Sequence, residues 1–247
     1  MQKSIIAGAL ALAVVLTAIS FAVDLRAAHA ANEVEVDTAL VVSVDVSNSV
    51  DANRYRLQME GIAEAFEDPE VLRAILNGPQ AGILVSMVTW ADKPRVAIPW
   101  QLVRSAEDAK DIARKVRALP RQTGEFTCVT GMLRNISDKL IPQIPGKANR
   151  VIVDVSGDGR ENCNPEQPIE AVRDELAGFG VTINGLPILE GDEGPSLEAW
   201  YREHVMAGPG SFVLPADGFK DFGRAIRQKF VIEISGEPLR RREANAR

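Results

Sequence analysis

The chain has 247 residues, 46% hydrophobic and 25% charged, which is ordinary globular composition with enough length for one sizeable core. Its 34 acidic residues outnumber its 28 Lys and Arg, for a net charge of −6, so an overall basic footprint for nucleic acid is excluded. The one basic run, Arg240-Arg241-Arg242, falls at the extreme C-terminus and reads as a solvated tail.

Residues 1–30 read as a signal peptide. Lys3 gives the positive start, residues 5–23 are almost all apolar, and Ala28-His29-Ala30 is an A-x-A cleavage site before Ala31-Asn32-Glu33. The apolar run is also long enough to span a bilayer, so a retained membrane anchor is the rival reading. Either way residues 31–247 form a single exported domain, periplasmic or secreted, where a disulfide is permitted. Cys128, Cys163 and His204 are then the only cysteines and histidine, and they cannot assemble a usual structural zinc site. One histidine with no triad signature around it also argues against a Ser-His-Asp hydrolase.

Residues 38–45 are a β-branched run, the composition of a strand buried on both faces. A helix follows, with Tyr55, Met59, Ile62 and Phe66 on one face. Asp68-Pro69 caps and opens a short second helix that stops at Asn77-Gly78. Residues 81–90 are a second strand. The turn Ala91-Asp92-Lys93-Pro94 leaves room only for a hairpin, so the third strand, 95–100, is antiparallel to it.

Ser105 and Asp108 resemble a capping box, with Ala109, Ile112, Ala113 and Val116 striped behind it up to Pro120. A polar loop, 121–128, precedes a helix over 131–141. Residues 150–156 are another buried strand, ending in Gly157-Asp158-Gly159, and Asn162-Cys163-Asn164-Pro165 opens the next helix. A strand over 181–189, a helix over 196–205, a last short strand over 211–214 and a helix carrying Phe219, Phe222, Ile226 and Phe230 complete the chain. The order predicts an α/β fold in three layers: a mostly parallel, doubly wound sheet with one antiparallel strand and helices on both faces. Trp90, Trp100 and Trp200 fall where aromatics pack into a core.

The first strand ends in Asp45-Val46-Ser47-Asn48-Ser49, one carboxylate and two hydroxyls within five residues. Alone, such a loop reads as helix capping. Open α/β sheets, however, bind ligands at strand carboxyl ends, and hard oxygens suit Mg²⁺. Right-handed crossovers put the Asp45–Ser49 loop and the Asp158 loop at one sheet end. A third loop, Gly124-Glu125-Phe126-Thr127, offers a hydroxyl just before a helix.

This order of loops resembles the von Willebrand factor type A fold, over about residues 38–235. The resemblance implies a metal-ion-dependent adhesion site for Mg²⁺ or Mn²⁺. Ser47, Ser49 and Thr127 would be hydroxyl ligands, and Asp45 and Asp158 would bind directly or through water. The ion would then take an Asp or Glu carboxylate from a protein partner. Where that family has Thr-Asp-Gly, this chain reads Ser156-Gly157-Asp158-Gly159, one residue longer, which leaves Asp154 as the fallback ligand. VVSVDVSNSVD, the Thr127-Cys128 pair, VSGDGRENC and GPGSFVLP further resemble an exported bacterial family catalogued as domain of unknown function 1194. If the second and third loops share the rim, Cys128 and Cys163 are neighbours and form a disulfide.

The expectation is an exported, metal-dependent protein-binding module rather than an enzyme, with no nucleic-acid partner and no membrane contact unless the leader is retained. The alternatives are a metal-assisted hydrolase, for which no general base stands near the motif, and a structural envelope protein with a vestigial site.

Overall fold

The β-branched runs become strands, and the strands set where every loop emerges. The structure, a computed structural model, describes residues 34–163 and 166–236. The leader with its cleavage site, Asn164-Pro165 and Arg240-Arg241-Arg242 lie outside the described residues. The strands are β1 (Glu35–Asp45), β2 (Ile83–Trp90), β3 (Arg95–Val103), β4 (Lys147–Gly157) and β5 (Thr182–Pro187), in the order β3-β2-β1-β4-β5. β1 runs parallel to β2, and β4 to β5, while β2 and β3 form the expected antiparallel hairpin. β2 is buried at every position and β1 at all but its first, as strands covered on both faces must be.

The stretch 211–214 is not a sixth strand. It makes one isolated bridge, Val213 to Gly185, with another just beyond it, Ala216 to Ile188. Two features interrupt a ladder there: the Phe212 amide donates to the Asn184 side chain, and Pro215 has no amide to give.

Side-chain oxygens start the first helices. Asp51 accepts from the Asn53 and Arg54 amides and caps α1 (Ala52–Glu67). Asp68 caps α2 (Pro69–Leu76), and Ser105 caps α3 (Ala106–Arg117). Further on come α4 (Val129–Asn135, running into a π-helical turn, Ile136–Leu140), α5 (Ile169–Gly178), α6 (Gly194–Trp200, with a second π-helical turn, Tyr201–Val205) and α7 (Phe222–Ser235).

Alternation along the strands divides the core in two. Leu40, Val42 and Val44 of β1 pack with apolar residues of α1, α2, α3 and α7. Val41, Val153 and Val155 pack with those of α4, α5 and α6. The sheet is therefore covered by helices on both faces. α1 and α7 approach closely at a glycine pair: a Cβ on Gly61 would lie 2.9 Å from the Gly223 Cα. Trp90 is fully buried, while Trp100 and Trp200 are partly buried against the second core.

Candidate functional site

β1 terminates at Asp45, and the carboxylate comes to rest with no exposure at all. One oxygen, Oδ1, accepts the Ser47 amide at 2.8 Å, closing a tight turn. The other, Oδ2, is buried with no hydrogen-bond partner. Burial, reinforced by the nearby charge of Asp158, pushes the Asp45 pKa up to about 7, against the hydrogen bonds from Ser47. No ion pair to Asp45 is present among the described residues. The loop does not serve to cap α1, since Asp51 does that.

The other oxygens expected from the sequence gather around it. Ser47 Oγ is 3.3 Å from Ser49 Oγ, and Thr127 Oγ1 donates to Ser47 Oγ, also at 3.3 Å. Ser49 Oγ donates to Asp158 Oδ1 at 2.7 Å. Asp45, Ser47, Ser49, Thr127 and Asp158 are thus brought into one cluster from three loops. Burial also raises the Asp158 pKa, opposed by the Ser49 hydroxyl and by Arg54. Ser47 and Thr127 are buried, while Ser49 is exposed. Ser49, Thr127 and Asp158 open onto a cleft of about 360 Å³ walled by Arg54, Arg160 and Glu190.

Asp154, the fallback, does not belong to this cluster. It lies in phase with Ile152 on the face covered by α7, where Lys229 Nζ is 3.0 Å from its Oδ1. Gly157, the additional residue of the third loop, explains how Asp158 still reaches the site. A Cβ there would lie 2.9 Å from both Asp45 Oδ2 and the Tyr201 hydroxyl, so only glycine lets β4 end against Asp45. His204 bonds Glu170 and packs on the Trp200 ring, an ordinary helix-face position.

Cys128 and Cys163 form the expected disulfide, with Cα atoms 5.3 Å apart. The segment around Cys163 does not open a helix, since α5 begins only at Ile169. Instead it grips the second loop. Asn162 Oδ1 accepts the Thr127 amide at 2.7 Å, and the Asn162 amide donates back to the Thr127 carbonyl at 3.1 Å. Glu161 accepts the Thr130 amide at 2.7 Å and the Cys163 amide at 3.1 Å, standing in for the side-chain cap that Cys128 does not give α4. The sulfurs and the Glu161 carboxylate converge, but each is committed: sulfur to sulfur, and both carboxylate oxygens to backbone amides.

The sequence reading missed these supports. Asp92 looked like a turn residue. It accepts the Glu125 and Phe126 amides at 2.9 and 2.7 Å and so holds the second loop from the β2–β3 turn. Arg54 donates to the Ser49 carbonyl and to Glu190. One signal was available: a disulfide to Cys163 necessarily brings Asn162 beside Thr127.

All five residues offer hard oxygen donors, and the partnerless Asp45 oxygen is buried beside hydroxyls and a second acid rather than beside a cation. The donor set fits a small hard dication.

The family described as Protein of unknown function (DUF1194) matches residues 35–238. Curated proteins give no match. Among solved structures, proximal thread matrix protein 1 from the mussel byssus is similar with a TM-score of 0.63 at 16% identity, over 82% of this chain and 48% of that one. The same mussel protein with a zinc-occupied MIDAS motif gives a TM-score of 0.59 at 20% identity, over 82% and 49%. A von Willebrand factor type A protein from Catenulispora acidiphila gives 0.59 at 14%, over 81% and 43%. The chain thus spans just under half the length of each of these proteins, and the likeness at this identity is one of fold.

Proposed function

The chain belongs to the DUF1194 family and has the von Willebrand factor type A fold, and on that premise we propose that it is an exported protein-binding module whose Asp45-Ser47-Ser49 loop, with Thr127 and Asp158, holds Mg²⁺ or Mn²⁺. The observation that carries the reading is the Asp45 carboxylate: fully buried, one oxygen unpartnered, no ion pair among the described residues, and hydroxyls and a second acid around it. When bound, the dication supplies the missing positive charge and a coordination position for an Asp or Glu carboxylate of a protein partner.

The chain's own residues do the rest. Ser47, Ser49 and Thr127 offer neutral oxygens, so only Asp45 and Asp158 bring charge. The Ser47 amide fixes the Asp45 carboxylate, and Gly157 leaves room for its free oxygen. The cleft above Ser49 and Asp158 gives a partner side chain access. The zinc-occupied MIDAS motif of the mussel protein supports a divalent ion at this fold position. The leader-like first 30 residues and the disulfide support export. We read the module as a binder rather than an enzyme.

Calorimetric titration with Mg²⁺ and Mn²⁺ tests the reading, beside a pull-down from periplasmic extract with and without chelator. Wild type should bind saturably, Asp45→Ala should lose both the ion and the partner while staying folded, and Asn48→Ala should change little. No saturable binding by wild type, or a partner held equally in chelator, leaves only the fold.

A further inference from the structure

We propose that Glu161-Asn162-Cys163 is a clasp that positions Thr127 for the metal, with Asn162 as its positioning residue. The inference rests on the metal reading above. Three consecutive side chains of the third loop attach to residues 127–130, the end of the second loop and the first turn of α4. Glu161 takes the Thr130 amide, Asn162 takes the Thr127 amide, and Cys163 is bonded to Cys128. The Asn162 backbone adds a return bond to the Thr127 carbonyl.

The placement is specific. Thr127 is the only member of the oxygen cluster that comes from the second loop, and its hydroxyl must meet Ser47. Its own chain is poorly suited to hold it there. Cys128 makes no side-chain cap, and residues 119–124 before it form no helix or strand. The attachments from the third loop tie Thr127 to the same segment that carries Asp158. The distance between two ligand residues is therefore set by a direct link, in addition to the hold that Asp92 has on Glu125 and Phe126. Asn162 itself is exposed, so burial gives no reason for its side chain to be aimed at Thr127. Partners that orient a metal ligand typically change affinity by roughly ten- to a hundredfold when removed.

A double-mutant cycle read by Mn²⁺ titration tests this, with melting in chelator to confirm folding. Asn162→Ala should weaken Mn²⁺ by about tenfold or more with a melting temperature near that of wild type. Asn162→Asp keeps the acceptor for the Thr127 amide and should restore most of the affinity. In a Thr127→Val background, Asn162→Ala should cost nothing further, because its action passes through a ligand already removed. Bound Mn²⁺ should relax water protons faster in Asn162→Ala, as water takes the place of a displaced hydroxyl. Wild-type affinity in Asn162→Ala, the same loss in Asn162→Asp, or an undiminished loss on the Thr127→Val background would each overturn the clasp while leaving the metal reading intact. Absence of Mn²⁺ binding by wild type would overturn both.

Discussion

Of the buried carboxylates on the central strands, the chain treats two oppositely, Asp154 and Asp45. Asp154, in the middle of β4, has a cation of its own. Lys229 reaches it from α7 with no exposure, 3.0 Å from Oδ1, and also bonds Glu233, which in turn accepts from Asn184 at 2.8 Å. Asp45, at the end of β1, has hydroxyls and another acid for neighbours and, among the described residues, no ammonium or guanidinium paired to it. Burial raises the pKa of both. An ammonium drawn from the sequence answers the first, and nothing in the described sequence answers the second. Where the fold needed a permanent counter-ion it built one in. On the proposed function, Asp45 is left for a cation from solution.

Removing that internal counter-ion should give the largest effect. Lys229→Met leaves Asp154 and Glu233 facing each other in the core, and loss of one partner of a buried ionic group costs about 3–5 kcal/mol. Denaturant unfolding at pH 7 should show it. Burial, and for Glu233 the charge of Asp154 as well, already holds these acids toward their protonated forms. The penalty should therefore shrink as pH falls and both take protons. A loss that does not depend on pH would mean that Lys229 acts by packing alone.

The disulfide comes next and tests the other region. Cys128 and Cys163 are separated by 35 residues, and closing such a loop is worth about 4 kcal/mol on the chain-entropy estimate. The double Ser variant should lose about 3–4 kcal/mol by the same estimate, and most of its Mn²⁺ affinity, because the bond joins the loops that carry Thr127 and Asp158. Lys229→Met should leave divalent affinity nearly unchanged once folding is accounted for. Equal damage to affinity by both variants would erase the distinction between the two regions. Thiol labelling of unreduced, denatured wild type should find no reactive thiol.

Much of this contrast was legible in the residues. The β-branched runs gave four strands with their neighbours, and the four-residue turn at Ala91–Pro94 gave the hairpin, because strand burial and short connections leave few choices. The oxygens of the first loop stood together in the sequence, so their chemistry showed at once. Asp154 stayed open between a fallback ligand and a structural carboxylate for a physical reason. A carboxylate inside a strand looks the same whether it faces a metal or an ammonium, and Lys229 is 75 residues on, in a helix whose rotation about its axis the sequence does not specify. Asp92, Glu161 and Asn162 were missed because their work is to accept backbone amides of a distant loop, and amides carry no sequence signature. The failed sixth strand turns on Asn184 capturing one amide, a choice visible only once β5 and Phe212 are side by side.

A smaller effect of opposite sign should separate the two acids by pH. Asp45 has a folded pKa of about 7 against an ordinary value of 3.8, so in the metal-free protein the stability tied to its proton is fully present below pH 4 and lost as pH rises through 7. Asp45→Asn removes that loss and keeps an acceptor for the Ser47 amide. In chelator at pH 8 the variant should be more stable than wild type by a few kcal/mol at most, each pKa unit being worth about 1.4 kcal/mol. At pH 5 the advantage should be smaller, and it should vanish only below pH 4. Saturating Mg²⁺ should stabilise wild type more at pH 8 than at pH 5, since below pH 7 it competes with a proton, and should not stabilise Asp45→Asn. Stabilisation of wild type by Mg²⁺ that is equal at both pH values would separate the ion from Asp45.

The finest test of the comparison is Gly157→Ala. The added methyl would sit 2.9 Å from Asp45 Oδ2 and from the Tyr201 hydroxyl, and 3.0 Å from the Asp45 Cβ. Tyr201 is fully buried and Asp45 ends a central strand, so neither side chain can swing into solvent. The relief must come from a small displacement of the carboxylate or of the β4 terminus. Overpacking of this kind costs about 1 kcal/mol or somewhat more. The displaced oxygen is the one without a partner, so divalent affinity should drop by about tenfold, equivalent to 1.4 kcal/mol. Asp154, three residues upstream and on the opposite face, should keep its bond to Lys229, and the pH dependence of unfolding due to that pair should be unchanged. Calorimetry with Mn²⁺ and unfolding across pH read the two regions separately. If affinity holds while stability falls, the free oxygen of Asp45 is not where the ion binds, and the role of Gly157 is confined to packing against Tyr201.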